Sequence, residues 1–378
     1  MDNRDSQGFA GVEESSTEPS VVDADEHDTA LPEVEALSYY GTDFDIHGLV
    51  RRLNQSDIVI PNFDPSPTDN LDLEGFQRKF VWKKTQMDRF VESLLLSFPV
   101  PGIFLVQQTD RKLLVLDGQQ RLRTLQQFYS GELYSGVEFR LENVAKELQG
   151  LLYADLDDDL RRLLDNTFIH ATIVKFNATE KGAESVYSLF ERLNTGGTNL
   201  YPQEIRVALY SGPFVEFLRE LNSNADWRAI YGPVNERLKD QEIILRFLAF
   251  YLDEEHYKRP LKGFLNDFLF RHREMGDFDR EHLKDVFSST CAAINTAFGR
   301  RAFRAENQIN AALADAILIG VSSRLKSGPI SDTPGMEAAR SSLLGNSDFR
   351  NSIARATADE DRVSKRLSMG RAAFESIK

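Results

Sequence analysis

Two periods of apolar residues alternate through residues 37–178. In "KKTQMDRFVESLLLSF" (83–98) the apolar positions Met87, Phe90, Val91, Leu94 and Leu95 recur every three or four residues, which is one buried face of a helix. Pro99 and Pro101 stop it. "GIFLVQQ" (102–108) and "KLLVLD" (112–117) are short, nearly continuous apolar runs joined by Thr109-Asp110-Arg111, and they predict two strands and a turn. "DIVIPNF" (57–63), "VEFRL" (137–141) and "FIHATIVKF" (168–176) read as further strands, the first ended by Pro61. Helices are predicted over 119–129, ended by Gly131, and over 157–166, whose first turn carries acids that suit the helix dipole.

After residue 180 the period becomes helical throughout. The spacing predicts helices near 180–193, 202–210, 213–222, 238–252, 260–273, 279–299, 308–325, 334–344, 348–356 and 361–376, with no strand of comparable quality. The expected fold class is therefore α+β. A mixed α/β domain over 37–178 precedes an all-α domain over 179–378, and a long helix joins them.

Composition changes the picture at one end. The chain has 378 residues, 41% of them hydrophobic, which is ordinary for a globular protein. The net charge is −14, yet residues 1–36 contain eleven acids and one base, Arg4, so −10 of it lies there. That stretch reads as a disordered acidic tail. The remaining body is only mildly acidic and lacks the bulk positive charge of a protein that grips duplex DNA by phosphate contacts alone. No window approaches the roughly 18 apolar residues of a membrane span, and the acidic start is unlike a secretory or transit leader. The lone cysteine, Cys291, excludes an internal disulfide and reads as a buried structural thiol. A cytoplasmic protein fits.

Candidate chemistry concentrates in "LLVLDGQQRLRTLQQF" (113–128). If Asp117 ends a strand, its carboxylate projects from the sheet's carboxyl edge, where open α/β sheets bind ligands. Gly118 lets the backbone turn tightly and approach a ligand. Gln119, Gln120 and Arg121 then form the first turn of a helix, whose unpaired N–H groups and dipole suit a phosphate. Arg121 adds a forked donor, and Asp117 is placed to hold a divalent cation or accept a proton from an attacking water. A plain helix start with Asp117 as N-cap satisfies the same spacing.

Two more stretches stand out. In "FQRKFVW" (76–82), Gln77, Arg78 and Lys79 lie among aromatics, a pattern that binds phosphate and stacks a base, or simply packs. In "FERLNTGGTNLYPQEIRVALYSGPF" (190–214), Asn194, Thr195, Gly196 and Gly197 form a turn able to cradle an anion, or a plain connection before a helix started by Pro202 and capped by Glu204. There is no HExxH, GxxxxGK[ST] or GxSxG. His170 alternates within an apolar strand and reads as structural.

Taken in order, Gln-Arg-x-Phe-x-Trp, Asp-Gly-Gln-Gln-Arg and Phe-Glu-Arg-x-Asn-Thr-Gly-Gly-Thr resemble the GmrSD-type N-terminal domain family, domain of unknown function 262, related to the ParB/sulfiredoxin-like fold. The resemblance extends over about residues 50–370, and the helical tail suggests a stand-alone member. It implies nucleoside triphosphate binding and hydrolysis, and control of a nuclease in phage-defence restriction systems. Carried over by position, it assigns catalysis to the motif Asp117, Gly118, Gln119, Gln120 and Arg121, within which Asp117, by its own chemistry, would hold Mg2+ or orient water. Nucleotide and phosphate contacts fall to Gln77, Arg78, Gly118, Arg121, Asn194, Thr195, Gly196 and Gly197. A His-Asn-His nuclease signature is missing, so a separate nuclease partner is expected, through which DNA would be reached. Tyr201 replaces the family's capping serine. A non-hydrolysing nucleotide- or DNA-sensing module and a ParB-like nuclease acting through Asp117 are the alternatives. The amphipathic helical half is compatible with a homodimer.

Overall fold

In the computed structural model, residues 21–22, 34–61, 82–177, 179–193 and 200–378 are described. The Gln77–Arg78 and Asn194–Gly197 motifs lie outside them.

A five-stranded mixed sheet carries the first half. Its strands are β1 (Tyr39–Asp45), β2 (Ile58–Val59), β3 (Ile103–Gln107), β4 (Leu113–Asp117) and β5 (Phe168–Lys175). They lie in the order β1-β5-β3-β4-β2. β1 runs antiparallel to β5 and β3 antiparallel to β4, while β5 with β3 and β4 with β2 are parallel. Helices α1 (Ile46–Asn54), α2 (Lys84–Leu95), α3 (Gln119–Ser130) and α4 (Asp158–Asn166) belong to this half. Those helices share one core with Leu105, Val115, Ile169 and Ile173 of the sheet. The other face carries Val106, Leu114, Leu116 and Val174, packed against Val186, Phe190 and Ile205. These come from α5 (Glu180–Leu193) and α6 (Pro202–Leu209). Cover on both faces is why β3 and β4 read as continuous apolar runs rather than alternating ones.

α5 and α6 lead into the helical half: α7 (Pro213–Asn222), α8 (Ala225–Tyr231), α9 (Lys239–Asp253), α10 (Leu261–His272), α11 (Arg280–Phe298), α12 (Ala311–Leu325), α13 (Thr333–Gly345), α14 (Ser347–Ala354) and α15 (Glu360–Phe374). Its core contains Cys291, fully buried, as the sequence suggests. Burial pushes that thiol's pKa up, so it stays protonated and inert. Asp315 of α12 is buried between two guanidiniums, 2.6 Å from Arg246 of α9 and 2.9 Å from Arg366 of α15. Where α12 and α15 cross, Gly320 and Gly370 meet backbone to backbone. A Cβ at Gly370 would collide with the Ala316 carbonyl, so the crossing needs small residues. None of the described helices is long and apolar enough to cross a membrane.

Several elements differ from expectation. β1 and α1 were not foreseen. α1 is built by Ile46, Leu49, Val50 and Leu53 on one buried face, and Asp45 caps it by accepting from the Gly48 N–H at 2.6 Å. α8 was missed as well, although Asn224 caps it and Trp227, Ile230 and Tyr231 bury its inner face. The strand expected over 137–141 is an irregular segment. Phe139 and Leu141 are buried, but their N–H groups bond to the Gly131 and Leu151 carbonyls, not to a sheet partner. Of the strand expected over 57–63, Ile58–Val59 are strand and Ile60 and Pro61 are not, while residues 62–63 lie outside the described residues. Within the acidic segment, Val21–Val22 pair in parallel with Ile309–Asn310. Glu35 accepts from Asn177 at 2.9 Å and receives the Ser185 hydroxyl on its carbonyl at 3.0 Å.

Candidate functional site

β4 ends at Asp117, Gly118 follows with φ at +96°, and α3 begins at Gln119. Gly118 is required twice over. Its left-handed backbone disfavours any side chain, and a Cβ there would lie 2.5 Å from Ile103 Cγ2. Its small size therefore serves contact with β3 as well as the turn.

Asp117 does not cap α3. The cap position is Gly118, with no side-chain cap. The N–H groups of Gln119 and Arg121 find no acceptor among the described residues, so the helix start presents bare donors and the positive end of its dipole. The Asp117 carboxylate instead meets the Arg121 guanidinium at 2.8 Å. Arg121 is only 9% exposed. Its Nη1 also donates to the Gly102 carbonyl at 2.7 Å and to the Pro101 carbonyl. Burial lowers the Arg121 pKa, and Asp117 opposes the shift. The guanidinium is thus a strut between the start of β3, the end of β4 and α3; direct phosphate contact would need it to shift.

The pairing of β3 with β4 changes register between Phe104 and Leu105. Beyond Leu105↔Val115, Asp117 rather than Leu116 stands opposite Phe104. Phe104 packs on the α5–α6 face, and directly opposed residues share a face. The bulge therefore turns Asp117 toward that face, where strict alternation would have turned it away.

The two motifs outside the described residues are flanked by residues that reach this corner. Trp82 donates its N–H to Gln120 Oε1 at 3.4 Å, and the Pro61 carbonyl accepts from Arg123 of α3 at 3.4 Å. These contacts tie both ends of residues 62–81 to α3. Leu193 and Leu200, on either side of residues 194–199, pack with Leu116 and Phe104. Tyr201 donates its N–H to Glu204 at 2.8 Å, while α6 starts without a side-chain cap.

The same sheet face holds a pair that the sequence reading passed over. His170 Nδ1 lies 2.8 Å from Asp43 Oδ1, and the side chains are 59% and 62% exposed. The residues are direct cross-strand partners on β5 and β1. His170 is therefore not in the core. The alternation of β5 that buries Ile169 and Ala171 turns it outward. Its partner lies 127 residues away in sequence, so no local pattern announces the pair.

A cleft of about 540 Å3 opens at the other end of β4, lined by Val59, Lys112, Leu114, Val207, Arg219 and Arg273. Its cations are matched in place, Lys112 with Asp110 and Arg273 with Glu274. None of Asp117, Gln119, Gln120 and Arg121 lines it. The bare donors and the re-aimed carboxylate favour the Asp117 corner over this roomier but charge-matched cleft.

For Mg2+, Asp117 offers one carboxylate, with Oδ2 already paired. No group of three or more metal-ligating side chains exists among the described residues. That donor set suits an ion arriving on a triphosphate, whose oxygens complete its shell, better than a resident one.

No curated protein and no solved structure matches the chain. Residues 53–211 match the family described as GmrSD restriction endonuclease, N-terminal domain. That span takes in both the corner and the flanks of the other two motifs, and over these residues the chain is similar to the GmrSD restriction endonuclease N-terminal domain.

Proposed function

We propose that the chain binds and hydrolyses a nucleoside triphosphate at the Asp117 corner and, in a DNA-restriction system directed against phage, thereby regulates a separate nuclease. The observation that carries this reading is the uncapped start of α3 beside a carboxylate turned onto the open sheet face. The N–H groups of Gln119 and Arg121 would receive phosphate oxygens. Asp117 would orient the attacking water or hold the Mg2+ that enters with the triphosphate, and that ion would neutralise charge developing on the phosphate oxygens. Gln119 and Gln120 would position water or base, with Gln77, Arg78 and the Asn194–Gly197 turn as further phosphate contacts. Arg121 fixes the corner's geometry.

Purified protein is given each of the four triphosphates with Mg2+, and phosphate release and binding heat are measured. Release that survives Asp117→Ala removes the role assigned to that carboxylate. Binding without turnover converts the reading to a sensing module, and no binding ends both. Plasmid DNA incubated with the chain alone should stay uncut; efficient nicking would replace the partner-nuclease reading with a self-sufficient nuclease.

A further inference from the structure

The sheet ends in two unlike edges. β2 is two residues long and stops short of Pro61, and both features blunt an edge against further strands. β1 is seven residues long and contains no proline, and among the described residues its outer side is unpaired.

The phase of the β1–β5 ladder fixes which backbone groups face outward. Lys175 donates its N–H to the Ser38 carbonyl, and Ile46 donates to the Thr167 carbonyl. Hydrogen-bonded pairs recur at every second residue of an antiparallel ladder, so Tyr40, Thr42 and Phe44 direct their backbone groups to β5. Tyr39, Gly41, Asp43 and Asp45 therefore aim their N–H and C=O groups away from the sheet. Tyr39, Tyr40, Gly41 and Asp43 are exposed beside them.

We propose that β1 pairs antiparallel with β1 of a second copy of this chain, about a two-fold axis at Thr42, so that two five-stranded sheets become one. The interface is independent of triphosphate chemistry at Asp117. Thr42 is the middle residue of the strand, so all seven residues find partners. Tyr39 faces Asp45 of the second copy and Gly41 faces Asp43, and these are the outward-bonding residues on both chains. Thr42 faces itself and Tyr40 faces Phe44, in the closer positions between hydrogen-bonded pairs.

The side chains suit this register. Tyr40 and Phe44 make an aromatic cross-strand pair on each side of the axis. Asp43 is met by His170 of its own chain at 2.8 Å and faces only a glycine across the axis. An axis at Asp43 would set two carboxylates face to face, which is unfavourable. An axis at Gly41 would leave Phe44 facing Ser38, outside the strand. A two-fold contact also closes on itself, so the long edge is covered without inviting an open-ended stack of chains.

The test measures mass by light scattering over a dilution series and cross-linking under mild oxidation. Wild type should run at twice its 42.9 kDa and dissociate on dilution. Thr42→Glu sets two like charges face to face at the axis and should shift the chain to the monomer mass. Thr42→Cys should link to its own copy, because facing Cα atoms at such positions stand about 4.5 Å apart, within disulfide range. Cys291 is the chain's sole cysteine and is fully buried, so the new thiol is the reactive one. Tyr40→Cys faces Phe44 rather than itself and should stay unlinked. Thr42 and Tyr40 are not in the core, so the variants should fold, which circular dichroism checks. A wild-type chain that is monomeric at every concentration overturns the proposal. A dimer that survives Thr42→Glu and does not link through Thr42→Cys lies on another surface and overturns it too. Linking of Tyr40→Cys as fast as Thr42→Cys overturns the register.

Discussion

Asp117 stands directly opposite Phe104 across two antiparallel strands, one residue later than regular pairing would place it. The extra residue is Leu116, which keeps its place in the core beside α5 and α6. The bulge thus lets one strand bury four successive apolar residues and still deliver a carboxylate to the open face.

Gly118→Ala should destabilise the protein by about 1–3 kcal/mol, because alanine meets both a left-handed backbone and Ile103. Chemical denaturation checks it. If only the turn conformation matters, Gly118→Asn should be nearly silent, since Asn tolerates that conformation. The Ile103 contact predicts that it is not.

Arg121→Ala should cost about 2–3 kcal/mol, because the Pro101 and Gly102 carbonyls and the Asp117 carboxylate lose a buried charged donor together. Arg121→Lys should recover only a fraction, since an ammonium lacks the fork that reaches all three. Equal stability of the lysine variant and wild type in urea would show that charge alone suffices.

Asp315→Ala should be the most damaging of these changes, about 3–5 kcal/mol, since it leaves Arg246 and Arg366 buried side by side. The midpoint of urea unfolding reads the loss. Asp315→Asn should fall between, keeping hydrogen bonds while losing the charge.

Asp267 on α10 has its pKa pushed up to about 6 by burial, with the Glu180 and Glu184 carboxylates adding to the effect and Arg271 opposing it. An unfolded aspartate titrates near 3.9, so between about pH 4 and 6 the folded state holds more protons than the unfolded one. The group's contribution to stability therefore falls as pH rises through that window, and above it Asp267 is a full liability. Asp267→Asn should raise the melting temperature at pH 7.5, and the gain should shrink toward zero by pH 4.5. A gain that grows on acidification would reverse the assignment.

Legibility followed range. α2, β3, β4 and α3 could be read because Met87, Phe90, Val91 and Leu94, or the run from Leu113 to Leu116, carry their period locally. The strand–glycine–helix corner was likewise local. β1 escaped notice because it is an edge strand, paired with β5 alone and exposed at Tyr39, Tyr40, Gly41 and Asp43. The stretch 137–141 misled because burial of Phe139 and Leu141 imitates alternation while their backbones bond elsewhere. What Arg121 does was out of reach, since its carbonyl partners lie 19 and 20 residues upstream. So was the facing of Asp117, which depends on a single register shift. Nothing near His170 in sequence could have named Asp43.

The buried Arg246–Asp315–Arg366 cluster also sets an order of events during synthesis. Asp315 and its second guanidinium are 51 residues apart. Until Arg366 emerges from the ribosome, α12 carries a carboxylate that Arg246 alone must neutralise, with the groove meant for Gly370 unfilled. The sheet can assemble before that point on the nascent chain; the helical half can lock only once α15 has been made.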